Sequence, residues 1–260
     1  MAEARTKVAI VTGSTQGLGE AIARRLIDEQ MIGGLVICGR NAENGRRLAG
    51  EFAKRGCRTE FVSADLTRVE DCRAVVERAR DVFDRVDYLV NGAATSERGT
   101  ILDTTPELFD RIIALNVRAP FFLMQQTLQG MIEQAIHGSI VNIISMSSHG
   151  GQPFLTPYSM SKGALVTLTK NVAQSVLKHR IRVNGLNLGW MDTPGEDAIQ
   201  KRFHDAAGDW LEKAEQAQPF GRLVKPQEVA GVVAFLLSER SGLMTGSIID
   251  FDQNIIGTYS

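Results

Sequence analysis

The 260 residues predict an α/β fold in a single domain: a doubly wound parallel sheet of about seven strands with helices on both faces. Short, almost wholly apolar runs recur along the chain, as strands buried on both faces require, and each is followed by a stretch whose apolar residues repeat at helical spacing. No internal repeat and no flexible linker interrupts the pattern, and a hydrophobic content of 43% is enough for one continuous core. The right-handed crossover rule then favours the strand order 3-2-1-4-5-6-7.

The first strand, Lys7-Val-Ala-Ile-Val-Thr12, runs into Gly13-Ser14-Thr15-Gln16-Gly17-Leu18-Gly19, after which Ala21, Ile22, Leu26 and Ile27 mark one helical face. Strand, glycine turn and helix in that order offer free backbone N–H groups and a positive dipole end to a pyrophosphate, and glycines let phosphates approach the backbone. Gly13, Thr15, Gly17, Leu18 and Gly19 are therefore candidate contacts of a dinucleotide in a Rossmann-type sheet. The spacing is G-x-x-x-G-x-G rather than G-x-G-x-x-G, and glycines also close ordinary turns, so the loop alone does not decide. The second strand, Gly34 to Gly39, ends at Arg40 with no acid before Glu43. A carboxylate there would hold the ribose 2′-OH of NAD, whereas an arginine pairs with the 2′-phosphate of NADP, so NADP is favoured and NAD stays possible. Stacking of Arg40 on the adenine is the alternative.

Asn41 caps a helix running through Arg55, with Leu48 and Phe52 turned inward. Arg58 to Ser63 is the third strand and leads to Ala64-Asp65-Leu66; Val69 to Phe83 is a helix with Val75, Val76, Ala79 and Val82 on its apolar side. Asp87 to Asn91 is the fourth strand, and Asn91-Gly92-Ala93-Ala94 lies at its edge. One long helix is expected from Pro106 to about Gln134, with Phe109, Ile112, Ile113, Leu115 and Phe122 inward and a polar Asn116 whose buried amide needs partners. Ile140 to Ile144 is the fifth strand, and from Tyr158 to Lys178 a helix carries Leu165, Leu168, Val172 and Val176 as one stripe. His179 and Arg180 follow at its end, where cations complement the dipole, so His179 reads as structural. Arg182 to Leu188 is the sixth strand, followed by Gly189 and Thr193. The polar segment at about 190–220 reads as a small helical lid, with Trp190, Asp192, Glu196 and His204 either meeting substrate or serving as solvated and packing residues. The helix Glu228 to Leu237 and the strand Ser247 to Phe251 complete the chain.

The chemistry concentrates between Ser145 and Lys162. Ser145 emerges at the C-terminal edge of the fifth strand, where open α/β sheets bind their ligands. Tyr158 and Lys162 stand four residues apart, on one face of a helix. A free tyrosine ionises near pH 10, and a nearby ammonium favours the phenolate; a shift of about 2–3 units makes the phenol an acid/base near neutrality. An isolated Tyr-x-x-x-Lys pair is common by chance, and the strand-ending serine and the glycine loop are what give this one meaning.

With that combination the chain resembles the short-chain dehydrogenase/reductase family over nearly its whole length. The resemblance rests on Gly13-x-x-x-Gly17-x-Gly19, Ser145 and Tyr158-x-x-x-Lys162. It implies a catalytic set of Ser145, Tyr158, Lys162 and Asn116, the last holding a water that leads to the lysine, and it gives Lys162 a second role on the nicotinamide ribose. It also implies that Asp65 reaches the adenine amino group beside Leu66, that Asn91 and Ala93 border the cofactor, and that Thr193, after Gly189, contacts the carboxamide. A homodimer or homotetramer goes with the family. The chain departs from the family pattern at neutral Gln16, at Gly92 where an asparagine is usual, at Leu188-Gly189 in place of Pro-Gly, and at Asp252-Gln253-Asn254 in place of Asp-Gly-Gly.

A net charge of −1 without a long Lys/Arg block leaves no electrostatic footprint for nucleic acid. Cys38, Cys57 and Cys72 form neither a C-x-x-C nor a metal-ligand spacing, and three lone thiols point to a reducing compartment. The N-terminal residues Met1 to Lys7 hold no apolar core, and no run approaches membrane-span length, so a cytoplasmic protein with a small-molecule substrate, no metal and no membrane is expected. The expected activity is hydride transfer between NADP, or NAD, and a secondary alcohol or ketone, with the polar lid pointing to a sugar or polyol. A 3-oxoacyl-thioester or general ketone reductase is the alternative, and a catalytically silent NAD(P)-binding regulator is the alternative of another class.

Overall fold

Seven strands, β1 (Val8–Thr12), β2 (Gly34–Gly39), β3 (Arg58–Ser63), β4 (Tyr88–Asn91), β5 (Ser139–Ile143), β6 (Arg182–Leu188) and β7 (Ile248–Phe251), pair in parallel in the order β3-β2-β1-β4-β5-β6-β7. The structure is a computed structural model describing residues 6–204 and 208–257; residues 1–5 of the N-terminal stretch, residues 205–207 of the expected lid and residues 258–260 lie outside the described residues. β1 takes β2 on one side, with Val8 opposite Gly34, and β4 on the other, with Ala9 opposite Tyr88. The winding of the chain reverses between β1 and β4, which opens a crevice at the C-terminal strand ends.

Alternation along each strand sends side chains into two cores. Ala9 and Val11, Tyr88 and Val90, and Val141 and Ile143 meet Ile22 and Leu26 of α1 (Gly17–Asp28), Leu48 and Phe52 of α2 (Ala42–Lys54), and Val229, Val233 and Leu236 of α9 (Pro226–Leu237). Ile10, Leu89 and Ile140 face the other way, against Val75 and Ala79 of α3 (Val69–Phe83), Leu123, Met124 and Leu128 of α5 (Ala119–Glu133), and Ala173 and Val176 of α6 (Thr156–Val176). Local signals act as read: Asn41 Oδ1 accepts from Asn44 N at 3.0 Å to cap α2, and Pro106 sits in the first turn of α4 (Pro106–Ile113) behind the Thr105 cap.

Two expectations need correction. The long helix from Pro106 is not one α-helix: Ala114–Arg118 form a π-turn between α4 and α5, and Phe109 is 39% exposed rather than inward because it lies on the solvent side of α4. On α6 the buried stripe is Leu165, Thr169, Ala173 and Val176, with Leu168 and Val172 only half-buried at its margin. Thr169 can be buried because its hydroxyl donates to Leu165 O at 2.7 Å and accepts from Asn142 Nδ2 at 2.9 Å.

The polar segment after β6 forms α7 (Pro194–Phe203) and α8 (Trp210–Gln216). Lys225 clamps its base with 3.0 Å and 2.9 Å ion pairs to Asp192 and Glu215. The tail after β7 also holds it: Gln253 Oε1 accepts from Phe220 N at 2.8 Å while its Nε2 donates to Arg222 O at 2.6 Å. Asp252 lies so close to Gly189 that a Cβ at Gly189 would stand 1.9 Å from Asp252 Oδ1. Leu188-Gly189 keeps a regular backbone path without the proline, because Leu188 pairs with Phe251 and Gly189 N donates to Phe251 O at 3.0 Å. Among the described residues no helix is long and apolar enough to cross a membrane.

Candidate active site

A cleft of about 1140 Å³ runs along the C-terminal strand ends, from the Gly13–Gly19 loop to α7. The loop can be built only from glycine at two places. Gly13 has φ +65°, and a Cβ on it would lie 2.9 Å from Ala93 Cα; a Cβ on Gly19 would lie 2.4 Å from Gly13 O. Gly19→Ala is expected to cost about 1–3 kcal/mol by overpacking and to weaken NADPH binding; differential scanning and a fluorescence titration check this, and an unchanged melting temperature with unchanged affinity would contradict the packing.

The Thr12 hydroxyl at the end of β1 accepts from Gly92 N at 3.0 Å and Ala93 N at 3.2 Å and donates to Val90 O at 3.2 Å. It braces the β4 edge where the usual asparagine amide is missing. Asn91, expected beside a cofactor, does not line the cleft: it is buried, and its Nδ2 donates to Asn142 Oδ1 at 2.8 Å within the sheet. The strand's alternation aims it sideways, and the lining begins at Gly92 and continues through Ala93 and Ala94 into the loop that follows.

Gly13, Thr15, Gly17, Leu18, Gly19, Arg40, Asp65, Leu66, Ala93, Gly189 and Thr193 do line the cleft. Arg40 lies within electrostatic reach of Asp65 yet makes no ion pair among the described residues. Asp65 also organises its own loop, accepting from Thr67 N at 3.1 Å and Thr67 Oγ1 at 2.8 Å, and these bonds hold its carboxyl below the usual range. Thr193 Oγ1 accepts from Glu196 N at 3.1 Å and so caps α7.

Ser145, Tyr158 and Lys162 converge on the same cleft wall. Ser145 follows β5 and caps the 3₁₀ turn Met146–His149, accepting from Ser147 N at 3.2 Å; its hydroxyl is near enough to the Tyr158 phenol to favour the ionised form. The first turns of α6 present Tyr158 and Lys162, and Lys162, 2% exposed, donates from Nζ to Ile143 O at 2.9 Å. That Nζ stands 5.7 Å from the centroid of the Tyr158 ring.

The expected lowering of the tyrosine pKa by the ammonium is reversed in this arrangement. Burial pushes the phenol above its ordinary value and outweighs the nearby Ser145 hydroxyl, with Glu196 adding to the rise and Arg98 opposing it. Burial likewise brings Lys162 down to about 8. Asn116 is also placed differently from expectation. It sits in the π-turn, 1% exposed and outside the cleft lining, with Oδ1 accepting from Thr95 N at 2.9 Å and Nδ2 donating to Thr95 O at 2.9 Å and Ser161 Oγ at 3.0 Å. Its side chain fixes the loop after β4 to α6, and both amide hydrogens are taken.

The far half of the cleft carries charged and polar side chains alongside apolar ones such as Phe154, Leu155 and Ile199. Trp190, Glu196 and His204 of the expected lid set line it, whereas Asp192 is held at the lid base by Lys225. Glu97, Arg98, Arg111, Gln152, Gln200 and Arg202 join them, and sequence reading missed all six. The only signal for Glu97 and Arg98 was their place just beyond the C-terminal end of β4, the side of the sheet where ligands bind.

Four known relatives or families resemble this chain. The sequence profile described as Enoyl-(Acyl carrier protein) reductase matches residues 13–253. Dehydrogenase/reductase SDR family member 4 of Oryctolagus cuniculus is 34% identical over 249 residues, spanning 94% of this chain and 91% of that protein. The crystal structure of L-sorbose reductase from Gluconobacter frateurii complexed with NADPH and L-sorbose superposes with a TM-score of 0.90 at 30% identity, covering 98% of each chain. Actinorhodin polyketide ketoreductase with NADPH gives a TM-score of 0.90 at 29% identity, covering 97% of this chain and 98% of the other.

Proposed function

This chain belongs to the short-chain dehydrogenase/reductase family, and from that premise we propose that it is an NADP-dependent oxidoreductase that exchanges a hydride with a secondary alcohol or ketone of a sugar or polyol. The observation that carries the reading is one continuous cleft with the glycine loop at one end and Ser145, Tyr158 and Lys162 facing it further along. The chain's residues fit a dinucleotide: glycines where any side chain would strike backbone, and Arg40 at the end of β2 without an ion pair among the described residues.

A nicotinamide held in this cleft would supply or accept the hydride. In reduction, the Tyr158 phenol gives its proton to the substrate oxygen while Ser145 Oγ hydrogen-bonds that same oxygen; in oxidation Tyr158 takes the proton back. Lys162 supplies positive charge behind the phenol from its anchor on Ile143 O. Asn116 acts as a positioning residue through Thr95 and Ser161. Asp65 and Leu66 would border the adenine end and Gly189 and Thr193 the nicotinamide end of a bound dinucleotide.

The sugar or polyol half rests on the charged lining around α7 and on the likeness to L-sorbose reductase. A thioester reductase acting on an acyl chain calls for an apolar groove, and Arg98, Glu196 and His204 occupy that space. A nicotinamide absorbance screen of NADPH and NADH against ketoses, simple ketones and acyl thioesters tests the whole reading. Reduction of ketoses with NADPH upholds it, turnover confined to thioesters replaces the substrate, and tight NADPH binding without turnover moves a regulatory role ahead. Arg40→Ala is expected to weaken NADPH by about 10- to 100-fold, the worth of a charge-assisted hydrogen bond, with NADH nearly unaffected. Equal losses for both in a binding titration would remove Arg40 from the 2′-phosphate.

Phe121 and Ile132 of α5 and Met160 of α6 are exposed, and we take them as part of a self-association surface of a homodimer or homotetramer, checked by light scattering. The three thiols are unpaired and buried, in keeping with a reducing, cytoplasmic compartment.

A further inference from the structure

We propose that Arg98 and Glu196 form a hydroxyl-reading pair, a fixed donor beside a fixed acceptor that holds neighbouring hydroxyls of a polyhydroxylated substrate next to Tyr158. The inference rests on the sugar or polyol reading and names the residues that would enforce it.

Both side chains are largely withdrawn from solvent, at 14% and 17% exposure, and both line the cleft with Tyr158. Arg98 comes from the loop between β4 and α4 and Glu196 from the first turn of α7, so they face each other from opposite sides. Arg98 is held in place by Nε donating to His204 Nε2 at 3.1 Å, by Nη1 donating to Ser96 O at 2.9 Å, and by its guanidinium 5.6 Å from the centroid of the Phe154 ring. Its Nη2 stands 3.8 Å from Glu196 Oε1, close enough for attraction and too far for a hydrogen bond. Glu196 Oε1 is already taken, accepting from Trp190 Nε1 at 2.9 Å and Gln200 Nε2 at 2.7 Å. Among the described residues Glu196 Oε2, the Nη2 hydrogens of Arg98 and its second Nη1 hydrogen are therefore the polar atoms of this pair left to a ligand.

The chemistry of the ligand follows from that pairing. A hydroxyl both donates and accepts, so two adjacent hydroxyls satisfy Arg98 Nη2 and Glu196 Oε2 together. A carboxylate would meet Arg98 but lie against the charge of Glu196, and an ammonium would face the reverse conflict. An alkyl chain would cover Arg98 Nη2 and Glu196 Oε2 without giving either a hydrogen-bond partner. Both charges act on the Tyr158 phenol, in opposite directions, which places the pair near the acid/base group.

The test compares kcat/KM for NADPH-dependent reduction of a ketohexose, L-sorbose, with that of 2-hexanone, which has the same number of carbons and no hydroxyls. Wild type, Glu196→Gln and Arg98→Gln are measured, with melting temperature and NADPH affinity confirming that each variant is folded. The ketohexose-to-hexanone ratio is expected to fall by about 10- to 100-fold in each variant, mainly through KM, because a charged hydrogen-bond partner of the substrate is lost. A ratio equal to that of wild type in both variants would overturn the pair while leaving the sugar reading standing. A wild type that reduces 2-hexanone and no polyhydroxylated ketone would defeat the sugar reading and the pair with it.

Discussion

Tyr158→Phe lowers kcat/KM by about 10²–10⁴-fold, the contribution of a positioned acid/base, and leaves NADPH affinity within a few-fold of wild type. The substitution removes one oxygen and keeps the ring, so the start of α6 and the 5.7 Å relation to Lys162 are preserved. The direction of the phenol's pKa gives this prediction a second readout. Because burial raises it, the free protein holds Tyr158 protonated at neutral pH, ready to donate to a carbonyl oxygen. Reduction is then flat through neutral pH and falls only at alkaline pH, whereas oxidation rises with pH as the phenol loses its proton. Steady-state rates in both directions across pH 6–10 and a fluorescence titration with NADPH check both parts. Phenylalanine at 158 with near-wild-type turnover would remove the tyrosine from the chemistry and favour the regulatory reading.

Lys162→Met is expected to lower turnover by about 10²-fold or more and to change how stability depends on pH. The folded lysine titrates at about 8, against 10.5 in the unfolded chain. Between those values the unfolded state binds more protons, so the lysine's contribution to stability rises with pH across that window and is lost as pH falls through about 8. The span corresponds to about 3 kcal/mol at 1.36 kcal/mol per pH unit. Buried thiols act oppositely: burial pushes Cys38 up to about 12 and Cys72 up to about 11, so the unfolded chain loses their protons first and stability declines above about pH 9. The informative quantity is therefore the difference between the denaturation curves of variant and wild type, measured without dinucleotide. That difference is expected to shift by about 3 kcal/mol in favour of wild type between pH 7.5 and 10.5. Parallel curves would mean that Lys162 is solvated and unstrained in its site.

Gly34–Gly39, Arg58–Ser63 and Arg182–Leu188 were legible as strands to the residue because each is a run bounded by a turn residue or a charge. The convergence of Ser145 with Tyr158 and Lys162 was legible for a topological reason. A serine just after β5 and the first turns of α6 must both open on the same sheet edge. What stayed hidden depends on contacts through space. The π-turn at Ala114–Arg118 has no composition of its own; it goes with Asn116 bonding to Thr95 and Ser161, residues distant in sequence. Asn91 could be placed on a strand, but its partner Asn142 lies on a neighbouring strand. The direction of the Tyr158 shift turned on how deeply the phenol and ammonium are packed, which four-residue spacing does not contain. Arg98 and Glu196 meet only because a loop and a lid helix close on one cleft.

The contact between Gly189 and Asp252 ties two positions together in heritable change. A side chain at 189 would meet Asp252 Oδ1 at 1.9 Å where that carboxylate stands, so Asp252 must turn aside or be replaced, and it is followed directly by Gln253, which is tied to Phe220 and Arg222. A lineage that alters position 189 therefore carries a cost until position 252 adjusts, and a chimera taking its last strand from one relative and its 189 loop from another is where that cost would show.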